Sequence, residues 1–481
     1  MFETTARFAL FDYFRIPHLR AEVVLDALPD LERITMAGSS SALLWPTAAL
    51  LAVGARPGLH LVRTVPFVGR VLADAEMRAL VQRLPGSWAQ TDVVRDAEGT
   101  AVSGIWRSDD GSSLLPFDPS EVISNYWTER YIELGPAARR ARIASLARHA
   151  YYRARPFLPR AVQMQLRRWF SRLQQKAPFP RWPVETAVDD FFMFVLELVA
   201  GLSNRPVPFI RFWPKDHSWA FVLTHDVEQQ VGYRNLHRLM DIELEEGYRS
   251  SWNFVPCNGY VVERRVLDEL RDRGFEVGVH GLFHDGRDML PRTLRRRLPA
   301  IRAYAEQWDA VGFRSPATLR SVQLIPTLGF DYDSSFSDTA PFEPQAGGCC
   351  TWLPYMLENT VELPITLVQD HTLFDLLGHP DGQIWLEKAR LLRDRGGMAL
   401  MLTHSDYLEL PSLCESYRRV LQEFASDKTA WKALPRDVSA WWRRRGESSL
   451  AEVDGEWQVV GPAAGEARID FIGAPSPARA R

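Results

Sequence analysis

Between Arg139 and Arg181 the sequence has no aspartate or glutamate, although it holds twelve arginines and lysines there. Removing those twelve from the chain's 57 basic residues leaves 45 against 60 acidic, a balance of −15 beneath a net charge of only −3. A basic belt on an acidic protein points to an anionic partner surface. No nucleic-acid recognition motif accompanies it, so nucleic acid is not the expected partner. Cysteine is scarce. The four (Cys257, Cys349, Cys350, Cys414) show no CxxC spacing, and the adjacent Cys349 and Cys350 are poorly placed to pair. This excludes a disulfide scaffold and suits a reducing compartment. No long uninterrupted apolar run is present. The richest window, residues 36–55, carries three serines and Pro46, so it reads as a buried strand and helix rather than a membrane span. Glu3 falls early, with no basic stretch before an apolar one, so no signal peptide is expected. The expected location is cytoplasmic, at most peripheral to the inner face of the membrane.

The 481 residues exceed one typical core, and 46% hydrophobic with 24% charged residues is the balance of a globular protein. Residues 1–135 mix strand-like runs ("LHLVRTVPFVGRVL", "TDVVRD") with helical ones and read as an accessory α/β or α+β domain. "DPSEVISNYW" reads as a helix capped by Asp118 or Ser120. Residues 136–205 read as a basic, aromatic helical connector. Its "RAVQMQLRRWFSRLQQ" sets Val162, Leu166, Trp169, Phe170 and Leu173 at helical spacing among arginines. That face either packs on its own protein or lies on an anionic membrane. From 206 to 445 short apolar runs alternate with helical stretches, several ending in glycine (Gly247, Gly274), which implies a parallel sheet or a β/α barrel. "GEWQVVG" and "EARIDFIG", within 446–481, read as a terminal hairpin before a disordered tail.

Ionisable residues fall where the apolar runs of the third segment stop. "FVLT" ends in His225, Asp226 and Glu228; "FEVGV" ends in His280, with His284 four residues on; "AVGF" ends in Arg314; "MALMLT" ends in His404 and Asp406. Each has an ordinary explanation alone, since an HxxxH is weak evidence and a strand-end aspartate is commonly a cap. Four coincidences at strand ends are a stronger signal, because barrel enzymes carry their chemistry there. On a helical turn His280 and His284 share a face and can chelate one ion. Two imidazoles and a carboxylate leave a coordination position for water. On an extended strand Asp226 and Glu228 point the same way while Val227 points away. One of the two can bind metal while the other acts as base.

These residues resemble the polysaccharide deacetylase (NodB-homology) family of carbohydrate esterases, in order over about residues 206–445. "THDVE" (224–228) is similar to the first motif, T-F-D-D-G; "HGLFH" (280–284) to H-[ST]-x-x-H; "RSP" (314–316) to R-x-P; and "LTHSDY" (402–407), preceded by "VELPIT", to the strand ending in a catalytic histidine. "LGFDYDSSF" (328–336) resembles the segment after the third motif, and the front half is similar to a subgroup whose first motif reads T-H-D-[VI]-[DE]. The resemblance implies a distorted (β/α) barrel of the NodB-homology type behind a smaller accessory domain. It implies hydrolysis of an N-acetyl amide on an amino sugar, with a divalent ion, zinc foremost, held by His280, His284 and a carboxylate. Asp226 would be the base, Arg314 its tuning partner and His404 the acid that protonates the departing amine. Asp333 would support the site, and a backbone N–H of the "RSPA" loop would help hold the oxyanion. Three departures stand out. The family's second aspartate is Val227, with Glu228 as its replacement ligand; if Asp226 binds the metal instead, Glu228 is the candidate base. The residue after His280 is Gly281, without the usual hydroxyl. The residue after "RSP" is Ala317, so a substrate-stacking ring is missing. The expected partners are an N-acetylated glycan or lipid-linked saccharide and, through residues 139–181, an anionic membrane surface. A deformylase, a cyclic-ureide hydrolase and a non-catalytic glycan-binding protein are the alternatives, and envelope glycan synthesis is the expected setting.

Overall fold

A computed structural model describes residues 1–20, 29–134, 159, 165, 179–203 and 205–473. Most of the basic belt of 139–181, with its helical face of Val162 to Leu173, lies outside the described residues, as does the expected tail. The chain forms two compact units that do not follow sequence order. One gathers Met1–Ile143, Thr186–Arg211 and Arg444–Arg481; the other gathers Ala144–Glu185 and Phe212–Arg443. The boundaries expected at 135, 205 and 445 divide the chain by sequence alone and miss this interleaving. Among the described residues no helix is long and apolar enough to cross a membrane.

The first unit is built on a nine-stranded sheet, largely antiparallel, running from His18–Arg20 at one edge to Val65–Leu72 at the other. The apolar 36–55 window becomes the fully buried strand Ala42–Pro46 and the helix Ala48–Gly54. Asp118 caps the helix Pro119–Trp127 by accepting the Ser120 N–H. The expected terminal hairpin is not formed as expected. Glu456–Val460 pairs instead with Ser449–Val453, and Ile469–Ile472 pairs with Val207–Ile210. Strand pairing follows available edges rather than closeness in sequence, and the "SSLAEVDGEW" turn offers the nearer partner. The buried guanidinium of Arg445 binds this unit's segments together, donating to the carbonyls of Tyr13, Ile210 and Arg211.

The second unit is an α/β barrel whose strands match the apolar runs of its sequence. The strand Trp219–Val227 is buried along its whole length, as expected for parallel strands covered on both faces. It pairs in parallel with Ser251–Phe254 on one side and with Met398–His404 on the other. The ladder continues through Glu276–Val279, Gly312–Phe313, Tyr332–Asp333 and Thr360–Glu362, all parallel, with Tyr355–Leu357 antiparallel at the edge. Closure is irregular. The N–H groups of Thr366 and Leu367 reach the Leu400 carbonyl at 3.2 and 3.0 Å, joining the last strand to Met398–His404 without a full ladder. The barrel is therefore distorted, and its strands deliver their C-terminal ends to one rim.

Helix ends set the strand starts. After the helix Arg264–Asp272, Gly274 is left-handed (φ +82°), its N–H bonds the Arg271 carbonyl and the Phe275 N–H bonds that of Leu270. Gly247 repeats the arrangement after Gln230–Glu245, with bonds from Gly247 to Leu244 and from Tyr248 to Glu243. These paired bonds are the Schellman arrangement that favours glycine. A Cβ at Gly247 would meet no atom within 4 Å, so its cost is backbone strain alone. Gly247→Ala should lower stability by about 1 kcal/mol, read as a lower melting temperature.

Candidate active site

The C-terminal ends of four strands and the loops after them supply the site. Asp226 stands near the end of Trp219–Val227 and Glu228 just beyond it. His280 follows Glu276–Val279, Arg314 follows Gly312–Phe313, and His404 ends Met398–His404. The i, i+2 geometry brings both carboxylates inward. Asp226 Oδ2 lies 3.6 Å from His280 Nε2, and Glu228 Oε1 lies 2.9 Å from His284 Nε2 and 3.6 Å from His404 Nε2. Val227 turns away, and its carbonyl accepts the Tyr260 hydroxyl.

Glu228, His280 and His284 bring one ligand atom each within 4.8 Å of the others. The donor set fits a divalent metal. Among the described residues neither imidazole Nε2 has a hydrogen-bond partner of normal geometry, an expensive state for buried nitrogens that binding a cation would relieve. His280 is fixed through Nδ1, which lies 3.1 Å from the Arg314 carbonyl, the kind of outer contact that orients a metal-binding ring. Burial, only partly opposed by Asp226, pushes its pKa down to about 4, so the ring is neutral at pH 7. Burial works to raise the Glu228 carboxyl, but His284, His404 and His280 hold it well below its ordinary value, so it is ionised. A neutral imidazole and an ionised carboxylate are the forms that bind metal.

Asp226 sits differently. Its Oδ1 accepts from Asn253 Nδ2 at 2.9 Å and from Arg314 at 3.1 Å. Burial opposes ionisation, yet His280, Arg314, His404 and the Asn253 amide keep its pKa below the usual value. On the other flank the Asp370 carboxylate accepts hydrogen bonds from His404 Nδ1–H at 2.6 Å and from the His404 backbone N–H at 2.7 Å. The carboxylate partner implies the Nδ1–H form. Burial alone would lower the His404 pKa, but Asp370, Glu228 and Asp226 raise it to about 10. The Nε2 edge thus carries a proton directed at Glu228, 3.6 Å away. In the loop 314–319 the N–H groups of Arg314, Ser315, Thr318 and Leu319 are all bonded and Pro316 has none. Among the described residues the Ala317 N–H has no partner, and Ala317 itself is left-handed at φ 56°.

Asp333 does not reach the metal cluster. Its carboxylate holds the Ser335 hydroxyl and N–H, and Ser335 in turn accepts the Ser315 N–H. Asp406 is a positioning group, accepting the N–H groups of Glu228, Gln229 and Gly232 at the start of the helix Gln230–Glu245. Sequence reasoning missed Asn253 and Asp370. Asn253 is the one amide inside "SWNFV", a signal of the same strand-end kind. Asp370 follows "VELPITLVQ" in a stretch without strand periodicity, and nothing local marks it.

Gly281 has a spatial reason. Its φ is +67°, and an added Cβ would lie 2.3 Å from Asp288 Oδ2 and 2.5 Å from the Pro316 ring. A hydroxyl-bearing residue has no room between the two histidines.

No protein-family model matches the chain, and no curated protein matches it in sequence. Solved structures similar to it include hydrolases. One, from Mycobacterium smegmatis, is assigned as a polysaccharide deacetylase (19% identity, 48% of this chain and 92% of that one, TM-score 0.40). Another, from Pseudomonas aeruginosa PAO1, is assigned likewise (19%, 51% and 97%, TM-score 0.39). A third is the Puue allantoinase (16%, 56% and 98%, TM-score 0.39).

Two outcomes follow from the geometry. Gly281→Ser should weaken the affinity for added divalent metal by about tenfold or more, read by titration calorimetry, because it forces the turn between His280 and His284 open. In metal-free protein the His404 ring should stay protonated until about pH 10, and in Asp370→Asn it should titrate well below that, followed by its ring-proton NMR signal. Since the folded value exceeds the ordinary 6.5, this contact's share of stability is full below 6.5 and is lost as pH rises through about 10.

Proposed function

We propose that this chain is a metal-dependent amide hydrolase that removes an N-acetyl group from an amino sugar of a glycan or lipid-linked saccharide. The observation that carries this reading is the ligand cluster of Glu228, His280 and His284, flanked by an ionised carboxylate on one side and a protonated imidazole on the other. The motif order within the sequence supports the sugar amide as substrate. Zinc is the expected ion. A divalent ion at these three ligands would supply a Lewis acid for the carbonyl and lower the pKa of bound water.

The chain's own groups divide the remaining work. Asp226, ionised and held by Arg314 and Asn253, accepts a proton from water as its oxygen adds to the carbonyl carbon. The Ala317 N–H is the donor free to meet the carbonyl oxygen as negative charge grows there. His404 gives its Nε2 proton to the nitrogen as the C–N bond breaks, and Asp370 stabilises the charged ring beforehand. The products are acetate and a free amine. Glu228 is the ligand and Asp226 the base in this scheme, because only Glu228 clusters with both histidines.

The experiment is turnover of defined N-acetylated oligosaccharides, beside N-formyl sugars and cyclic ureides, with free amine or ring opening as readout. Asp226→Asn should keep its zinc and lose about 10²–10⁴ of the rate, whereas Glu228→Gln and His280→Ala should lose zinc as well. Tight metal binding with no turnover across the whole panel would favour a glycan-binding role.

A further inference from the structure

The site opens to solvent along Glu228 and His284, the partly exposed members of the cluster. Three rim loops border that opening, after the strands Trp219–Val227, Ser251–Phe254 and Glu276–Val279. They are tied together, since Asn258 Nδ2 donates to the Glu228 carbonyl, the Cys257 N–H to the Leu282 carbonyl, and the Glu263 N–H to the Tyr233 hydroxyl. Among the described residues the second unit exposes four large hydrophobic side chains, and three of them stand on or beside these loops: Val261 (78% exposed), Val231 (40%) and Phe283 (39%). Scattered surface hydrophobics need no explanation, but clustering around one opening marks a contact surface.

The charge beside this collar is also one-sided. Arg287, on the third loop, and Arg292, Arg295 and Arg296, in the first turns of the helix Pro291–Gln307, are exposed. None of the four makes a salt bridge or side-chain hydrogen bond among the described residues, and only Arg287 is near enough to an acid, Asp285, to act on its charge. The nearby acids are already engaged, Asp285 and Asp288 by Arg297, whose guanidinium also lies 4.7 Å from the Phe283 ring centre and props it outward. Glu263 is taken by Arg265.

We infer that this rim is a docking surface for an anionic lipid bilayer, with Val231, Val261 and Phe283 entering the interface and the four arginines facing its phosphates. Apolar tips beside unpaired cations are the arrangement that interfacial binding needs, since neither attraction alone holds a protein firmly. The surface stands on these exposed residues alone. Its consequence, a substrate head presented to Glu228 and His284 from the lipid side, rests on the hydrolase reading above.

Co-sedimentation of the full chain with vesicles of phosphatidylcholine, and of phosphatidylcholine with phosphatidylglycerol in equal parts, tests the surface without any turnover. Partition should favour the anionic vesicles by about tenfold or more at low salt. Arg287→Gln/Arg292→Gln/Arg295→Gln/Arg296→Gln should abolish that preference, and Val231→Ser/Val261→Ser should weaken binding at every salt concentration. Both variants change exposed residues, and unchanged melting temperatures will show that they fold. Equal partition into both vesicles, or either variant binding as wild type does, overturns the proposal; the second result would move lipid binding to the belt of residues 139–181. Loss of the hydrolase reading would leave this assay unaffected.

Discussion

The site depends on one buried cation. The Arg314 guanidinium donates to the Ser334 carbonyl and hydroxyl, to the Thr224 hydroxyl and to Asp226, while its own carbonyl lies against His280. Its two hydroxyl partners pass the contact on, Ser334 to the Leu363 carbonyl and Thr224 to that of Met401. A continuous chain of hydrogen bonds therefore crosses the barrel mouth between the strands that the backbone closes only irregularly. Burying a guanidinium is costly unless nearly every donor is used. Here Arg314 joins His280 in keeping Asp226 ionised, and its carbonyl holds the His280 ring through Nδ1.

Two histidines in the same small cavity end in opposite charge states. His404 has a carboxylate against Nδ1 and is protonated at neutral pH. His280 has only a carbonyl there, and burial keeps it neutral. Environment, not residue type, separates the protonated ring from the neutral one.

Much of this was legible in the sequence because strand ends are where side chains change from core to rim. The apolar runs of the second unit locate its strands, and Asp226, Glu228, His280, His284, Arg314 and His404 fall at their ends in a local pattern. What was not legible depends on distance in sequence. Asp370 is defined only by meeting His404, 34 residues away. The pairing of Ile469–Ile472 with Val207–Ile210 joins segments separated by the entire barrel, and no local periodicity can choose such a partner. Gly281 read as the loss of a hydroxyl; only the nearness of Asp288 and Pro316 shows that nothing larger fits.

That last strand pairing carries a consequence for synthesis. The first unit includes Arg444–Arg481 as well as Met1–Ile143. During translation its front sheet leaves the ribosome early, yet the strand that pairs with Val207–Ile210 is made only after all of the barrel. Domains commonly fold in order as they emerge. Here the barrel can complete itself while the unit that precedes it is still waiting for its final strand, so the second-born unit is the first that can finish.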